Sequence, residues 1–307
     1  MSEPSVPPER ESAPAPLRFA GRDGIALAAD AWGDASAPPV LLLHGGGQTR
    51  HAWGGTAAAL ASEGWYAVAL DLRGHGDSSW DPRGDYGVDA FVADVRQVIA
   101  QLGTRPALVG ASLGGITALL AEAESTDSMC SALVLVDIAV RIEPEGALRI
   151  ISFMQARPDG FASLEEAADL IAAYLPHRER PRDLGGLAKN LRQGADGRWR
   201  WHWDPLFLAP GHGPRPGQEG DRMEAATRRL RVPTLLVRGR RSDLLSEAGA
   251  RHFLELAPHA RFADVSGAGH MVAGDRNDLF TDAVASFLRE LERSERAPRA
   301  RGERSAP

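Results

Sequence analysis

Cysteine is almost missing from this 307-residue chain: Cys130 stands alone, so no disulfide can form within it, and a reducing compartment, by default the cytoplasm, is expected. Lysine is as scarce. Lys189 is the single lysine and lies in GGLAKN, outside any G-x-x-x-x-G-K-[ST] loop, which excludes P-loop phosphate chemistry and leaves a Schiff base with only this unpromising candidate. No apolar run approaches the roughly 18 residues needed to span a bilayer. The opening MSEPSVPPERESAPAP lacks a basic start followed by an apolar stretch, so it is not read as a secretory leader. Nor is there an excess of positive charge. A net charge of -6 gives no electrostatic reason to expect nucleic acid or an anionic membrane as partner.

What is present reads as an ordinary globular protein, 43% hydrophobic and 25% charged, long enough for one large α/β domain with an insert. LRFAG and GIALAADAWG, separated by Arg22-Asp23-Gly24, predict a first hairpin. Six apolar runs follow, within PPVLLLHGGG, WYAVALDLRGHG, ALVGAS, ALVLVDI, VPTLLVRG and ARFADVSG. Continuous rather than alternating apolar character marks strands covered on both faces, as in a parallel sheet. Helical periodicity intervenes at about 56–62, 88–102, 113–124, 247–256 and 278–292, which gives a doubly wound, mostly parallel α/β sheet with ligands at the carboxyl ends of its strands. Between about 140 and 228 the alternation stops. GALRIISFMQ and SLEEAADLIAAYL are amphipathic, the latter opening with Ser163 and Glu166 at capping-box spacing, and the stretch is expected to form a mostly helical cap over the strand ends. The expected division is therefore a disordered tail at 1–16, a core at 17–139 and 229–292, the cap at 140–228 and a second disordered tail at 293–307.

Ser112 is the residue around which these elements are arranged. ALVGASLGGITALLAE passes from strand to helix through Gly110-Ala111-Ser112-Leu113-Gly114, a bend that strains the backbone at Ser112 and requires small neighbours two residues away. Such a bend lifts the hydroxyl above the sheet edge and leaves the Leu113 amide at a helix N-terminus, where negative charge is favoured.

A serine hydroxyl needs a base, and the base needs an orienting group. His270, in SGAGHMV after the last strand, is the expected base, carried to the sheet edge by small residues. His44 and His75 lie in glycine turns, His177, His202 and His212 in the cap, and His51, His252 and His259 in helix or loop positions without such a setting. The acid should project from another strand end. Asp243, after TLLVRGRRS and 27 residues before His270, is the first choice; Asp137, ending ALVLVDI, is the competitor. Attack on a carbonyl also requires donors for the developing oxyanion. Leu113 supplies one amide, and the turn His44-Gly45-Gly46-Gly47 the other, with Gly46 first and Gly47 second.

The motifs LLLHGGGQ, LDLRGHGDS, GASLGG, LLVRGRRSD and GAGHMV, spread over about 17–292, resemble those of the α/β-hydrolase superfamily. The resemblance is to its small cap-bearing group of carboxylesterases, haloperoxidase-like perhydrolases, epoxide hydrolases and meta-cleavage-product hydrolases. It implies the order Ser112, Asp243, His270, an oxyanion hole at Gly46 and Leu113, and no metal or cofactor. A serine nucleophile argues against epoxide hydrolases and dehalogenases, which use aspartate. Gln48 and DLRGHGDS fit the cap-bearing group better than the hormone-sensitive-lipase-like esterases that share HGGG. DLRGHGDS is then a structural turn in which Asp71 and Arg73 tie loops together, and Asp71, His75 and Asp77 are not read as metal ligands.

In GRWRWHWDP, an extended backbone would place Trp199, Trp201 and Trp203 on one side and Arg198, Arg200 and His202 on the other. The tryptophans either fasten cap to body or, Trp201 and Trp203 especially, wall an apolar substrate pocket. The expected activity is a serine hydrolase for small to medium apolar carboxylic esters. Carbon-carbon bond hydrolysis, lactone cleavage or acyl transfer to peroxide on the same triad are alternatives, and a non-catalytic receptor for a small ligand is a more distant one. Oligomeric state is not encoded legibly.

Overall fold

The computed structural model describes residues 13–176, 180, 184–215, 217–270 and 277–296. The chain begins with strands β1 (Ala15–Ala20), β2 (Ala26–Trp32) and β3 (Pro39–Leu43). Helix α1 (Gly54–Ser62), β4 (Tyr66–Leu70), α2 (Val88–Leu102), β5 (Ala107–Ala111), α3 (Leu113–Ala123) and β6 (Ala132–Val136) follow. The cap inserted after β6 holds α4 (Pro144–Met154), α5 (Leu164–Tyr174), α6 (Gly185–Ala188), the strand pair β7 (Leu191–Gln193) and β8 (Trp199–Trp201), and α7 (Gly220–Arg229). The core resumes with β9 (Thr234–Gly239), α8 (Glu247–Leu256), β10 (Arg261–Val265) and α9 (Asn277–Arg296).

Eight strands make one sheet in the order β1-β2-β4-β3-β5-β6-β9-β10. β1–β2 and β2–β4 pair antiparallel and the remaining neighbours parallel. The apolar runs of the sequence are the parallel strands, and their continuity has the expected cause. Along β3, Leu41 and Leu43 enter the core beneath α2 and α3, while Val40 and Leu42 enter the core beneath α1 and α9. Helix α5 is capped as its sequence announces, with the Ser163 hydroxyl accepting from the Glu166 N–H at 3.3 Å.

Three features depart from the sequence reading. β1 starts at Ala15, inside the stretch expected to be a tail, because its backbone pairs with Ala31 on β2. Helix α9 continues past the anticipated end to Arg296. The cap is not wholly helical: an antiparallel pair, β7 with β8, carries Trp199 and Trp201, turning through Gly194 to Gly197 with the latter at φ 77°. The outer tails at 1–12 and 297–307, and His177, lie outside the described residues.

Candidate active site

β5 delivers Ser112 into the strained bend its sequence foretells, at φ 47° and ψ -114°. The flanking glycines are required by close backbone approach. A Cβ on Gly110 would lie 2.4 Å from the Gly114 carbonyl oxygen, and one on Gly114 2.3 Å from that of Leu43. Gly115 is equally confined, 2.4 Å from a methyl of Ile138. The bend thus packs α3 against β5 and β3, and no side chain larger than hydrogen fits at these points.

His270 meets Asp137. The imidazole Nδ1 is 2.8 Å from Asp137 Oδ2, and the carboxylate also accepts from the Gly239 N–H at 3.0 Å and the Ser242 hydroxyl at 2.5 Å. Asp137 is fully buried and itself sits at φ 48°, so the backbone turns sharply at the end of β6 to aim its carboxylate across β9. Asp243, the expected acid, faces elsewhere. Its carboxylate pairs with the Arg149 guanidinium of α4, and its backbone is pressed by that helix, for a Cβ on Gly146 would come within 2.1 Å of the Asp243 carbonyl oxygen. The cap has drawn the β9 loop to itself and left the competitor, Asp137, beside the imidazole. Ser242 was not singled out in the sequence; only its adjacency to Asp243 could have suggested it. Its oxygen accepts from the Leu244 and Leu245 N–H groups at 3.1 and 3.0 Å, which fixes the hydroxyl proton toward Asp137.

The backbone donors around Ser112 sort themselves. The Gly45 N–H donates to Gln48 Oε1 at 2.9 Å, the Gly47 N–H to His75 Nε2 at 3.0 Å, the Ser112 N–H to the Val136 carbonyl at 3.3 Å and the Gly114 N–H to the His44 carbonyl at 3.1 Å. Among the described residues, the N–H groups of Gly46 and Leu113 have no acceptor. Both residues line the cavity that Ser112 and His270 also line. Gly47, the second choice for the turn donor, is thereby engaged, and Gly46 is available.

The two histidines of the glycine turns brace this arrangement. His44 Nε2 accepts from the Leu72 N–H at 3.0 Å while its Nδ1 donates to the Gly45 carbonyl at 2.8 Å. His75 does the same between the Gly47 N–H and the Arg73 carbonyl, at 3.0 and 2.9 Å. Each ring must be neutral with the proton on Nδ1. Burial holds His44 down to about 4, and burial together with the neighbouring His44 holds His75 down to about 3. Asp71 and Arg73 do tie loops together: Asp71 accepts from the Arg50 and Asp77 N–H groups at 2.6 and 2.9 Å, and buried Arg73 grips Asp94 through two bonds of 2.6 and 2.7 Å. His202 approaches Asp77 at 3.7 Å, and His212 bonds the Gly84 carbonyl at 2.8 Å.

The cavity over Ser112 measures about 580 Å³. Its walls are mainly apolar, with Ile138, Val140, Ile150, Phe153, Met154 and Ile171 prominent, and its size suits a medium-sized organic ligand. Trp201 and Trp203 line it. Trp203 also fastens the cap to the core by bridging to His75, whereas Trp201 packs within the cap against Phe153 and Phe161 at ring separations of 5.7 and 5.3 Å. Trp199 turns away into the small cap cluster around Phe161.

A strained serine at a strand-to-helix bend, a histidine after the last strand and a cap between β6 and β9 define a class, and comparison with known proteins agrees. The chain belongs to the α/β-hydrolase family, whose model, described as the alpha/beta hydrolase fold, matches residues 38–276. It is 31% identical to esterase Rv0045c of Mycobacterium tuberculosis over 86% of each chain, and 29% identical to the sn-1-specific diacylglycerol lipase ABHD11 of Mus musculus over 83% of this chain and 82% of the relative. A crystal structure of the mycobacterial esterase superposes with a TM-score of 0.71 at 28% identity, covering 91% of this chain and 93% of that one. The fold alone is shared with E-2-(acetamidomethylene)succinate hydrolase, at a TM-score of 0.78 and 24% identity over 90% of this chain and 99% of that one. Among the described residues, no helix is long and apolar enough to cross a membrane.

Proposed function

We propose that the protein is a serine esterase that cleaves small to medium, largely apolar carboxylic esters through an acyl-enzyme. The observation that carries this reading is the convergence, on one apolar cavity, of Ser112, of His270 held by Asp137, and of two unengaged amides. With Nδ1 of His270 committed to Asp137, Nε2 is the nitrogen left to take the Ser112 proton as Oγ attacks the ester carbonyl. The tetrahedral oxyanion is received by the Gly46 and Leu113 N–H groups, the latter at the N-terminus of α3, each such donor contributing roughly 3 kcal/mol of transition-state stabilisation. His270 then returns the proton to the departing alcohol, and a water activated by the same ring releases the acid. Asp137 holds the imidazole in its Nδ1–H tautomer and stabilises the imidazolium. The esterase and lipase relatives support ester over lactone, carbon-carbon or peroxide chemistry.

The test is hydrolysis of a p-nitrophenyl ester series from acetate to decanoate by wild type and Ser112→Ala. Turnover that peaks at short to medium acyl length and vanishes in the variant is expected; a folded wild type that cleaves none of the series would overturn the assignment.

A further inference from the structure

The cavity wall is mainly apolar, with Tyr174, Arg180 and Arg215 also on its cap side, and beside the Gly46–Gly47 turn two neutral side-chain donors of the cap stand out. The Trp203 indole Nε1 lies 3.6 Å from the point a Cβ on Gly47 would occupy, next to the turn that carries the Gly46 amide, and both Trp203 and Gly47 line the cavity. No acceptor among the described residues takes its proton. Asn190 also lines the cavity. Its Oδ1 accepts from the Thr49 hydroxyl at 2.8 Å, which fixes the amide orientation and leaves the Nδ2 hydrogens without an acceptor among the described residues.

The two donors belong to one rigid patch. The His202 N–H donates to the Asn190 carbonyl at 3.0 Å, joining the backbones on either side of the β7–β8 pair. The following residues are stitched to the core, with the Gly76 N–H donating to the His202 carbonyl at 2.7 Å and the Asp204 N–H to the Gly74 carbonyl at 2.8 Å. The Asp204 carboxylate is held in turn by the Tyr86 hydroxyl. Trp203 and Asn190 therefore face the Gly47–Thr49 side of the cavity from fixed positions. The other unbonded indoles, Trp53 and Trp201, are different, since their nitrogens are enclosed and serve as wall.

Donors fixed in an apolar site discriminate, because a ligand without an acceptor strips them of water and returns nothing. The geometry points to a substrate subclass: esters bearing a second neutral hydrogen-bond acceptor, an ether, carbonyl or hydroxyl oxygen, two or three bonds from the scissile carbonyl, read by the N–H groups of Trp203 and Asn190. This inference rests on the esterase reading and narrows it. Trp203 and Asn190 act as specificity determinants, and the aliphatic and aromatic walls around Ile138, Val140, Ile150 and Phe153 accommodate the apolar portion.

The experiment compares kcat/KM for isosteric pairs that exchange one methylene for oxygen: p-nitrophenyl methoxyacetate against butanoate, and 3-methoxypropanoate against pentanoate. The ratio for each pair is divided by the same ratio for hydroxide-catalysed hydrolysis, which removes intrinsic reactivity. The wild type is expected to favour the oxygen-bearing member of at least one pair by about three- to tenfold, the effect of one or two hydrogen bonds. Trp203→Phe and Asn190→Leu should each shrink that corrected preference at least twofold, whatever happens to overall rate. A corrected wild-type ratio near one in both pairs, or a preference that both folded variants retain, overturns the inference. Should a variant fail to fold, the wild-type ratios and the other variant decide. Absence of Ser112-dependent turnover on every ester would instead defeat the esterase reading itself.

Discussion

Asp137 and His270, 133 residues apart in the chain, are joined by a 2.8 Å contact between Oδ2 and Nδ1 at the carboxyl edge of the sheet. The contact exists because β6 and β9 are neighbours and β10 follows β9, so the loops after β6 and β10 converge across the end of β9. Replacement of Asp137 by Asn should therefore lower kcat by about 10²- to 10⁴-fold with little change in KM, since the wrong imidazole tautomer would be favoured. Asp243→Asn should retain activity within about threefold. Its exposed pair with Arg149, the two side chains 30% and 63% accessible, contributes at most about 1 kcal/mol to stability. Steady-state kinetics on one ester, with both variants side by side, checks the contrast; the reverse order of damage would contradict it.

Ser242 acts through Asp137. Ser242→Ala removes one of the three bonds the carboxylate accepts, and kcat is expected to fall roughly three- to thirtyfold while KM holds and Ser242→Thr recovers most of the loss. Equal changes in kcat and KM, or no rescue by threonine, would assign the residue to loop structure instead.

The bend at Ser112 makes a stability prediction. In Gly114→Ala the new methyl meets the Leu43 carbonyl, a backbone atom that cannot swing away, and a loss of at least about 3 kcal/mol is expected. Gly103→Ala serves as the contrast: its site is spatially open but its φ is 72°, so only a backbone cost of about 1 kcal/mol applies. Urea unfolding of the two variants measures the difference, and similar midpoints would contradict the packing described.

Buried His44 and His75 predict early acid lability. Both have pKa values depressed from 6.5, to about 4 and about 3, so below pH 6.5 the unfolded chain binds protons that the folded chain refuses. Stability is thus complete above about pH 6.5 and declines as pH falls toward 4, with His75 extending the decline toward 3. At about 1.4 kcal/mol per pKa unit, a loss on the order of 3 to 5 kcal/mol for each histidine accumulates across its window. The decline begins above the range in which ordinary carboxylates titrate, so thermal melts at pH 7.5, 6.0 and 5.0 isolate it; a melting temperature constant across those values would count against neutral, doubly bonded imidazoles.

The sequence disclosed the core strands, the serine bend and the histidine because each has a local cause. Apolar runs such as VLLL and ALVLV can be satisfied only between two helix layers, and Gly110 and Gly114 answer contacts made within one bend. The acid was ambiguous for the opposite reason. Asp137 and Asp243 both end strands beside His270, and what separates them is tertiary: a left-handed backbone at Asp137 and a cap helix whose Gly146 and Arg149 seize the β9 loop. The β7–β8 pair could have been read from its Asp196-Gly197 turn followed by alternating tryptophans, a hairpin signal that the helical periodicity on either side obscured. Asn190 left no sequence signal, since its orientation depends on Thr49 of the core, 141 residues away in the chain.

The central claim is that Ser112 is an activated nucleophile, and covalent trapping tests it most directly. Folded protein treated with a fluorophosphonate should gain the mass of one adduct, located by peptide mass spectrometry at Ser112, absent in Ser112→Ala and formed at least a hundredfold more slowly in His270→Ala. A native, folded chain that takes up no probe, or takes it up at another residue, would contradict the account.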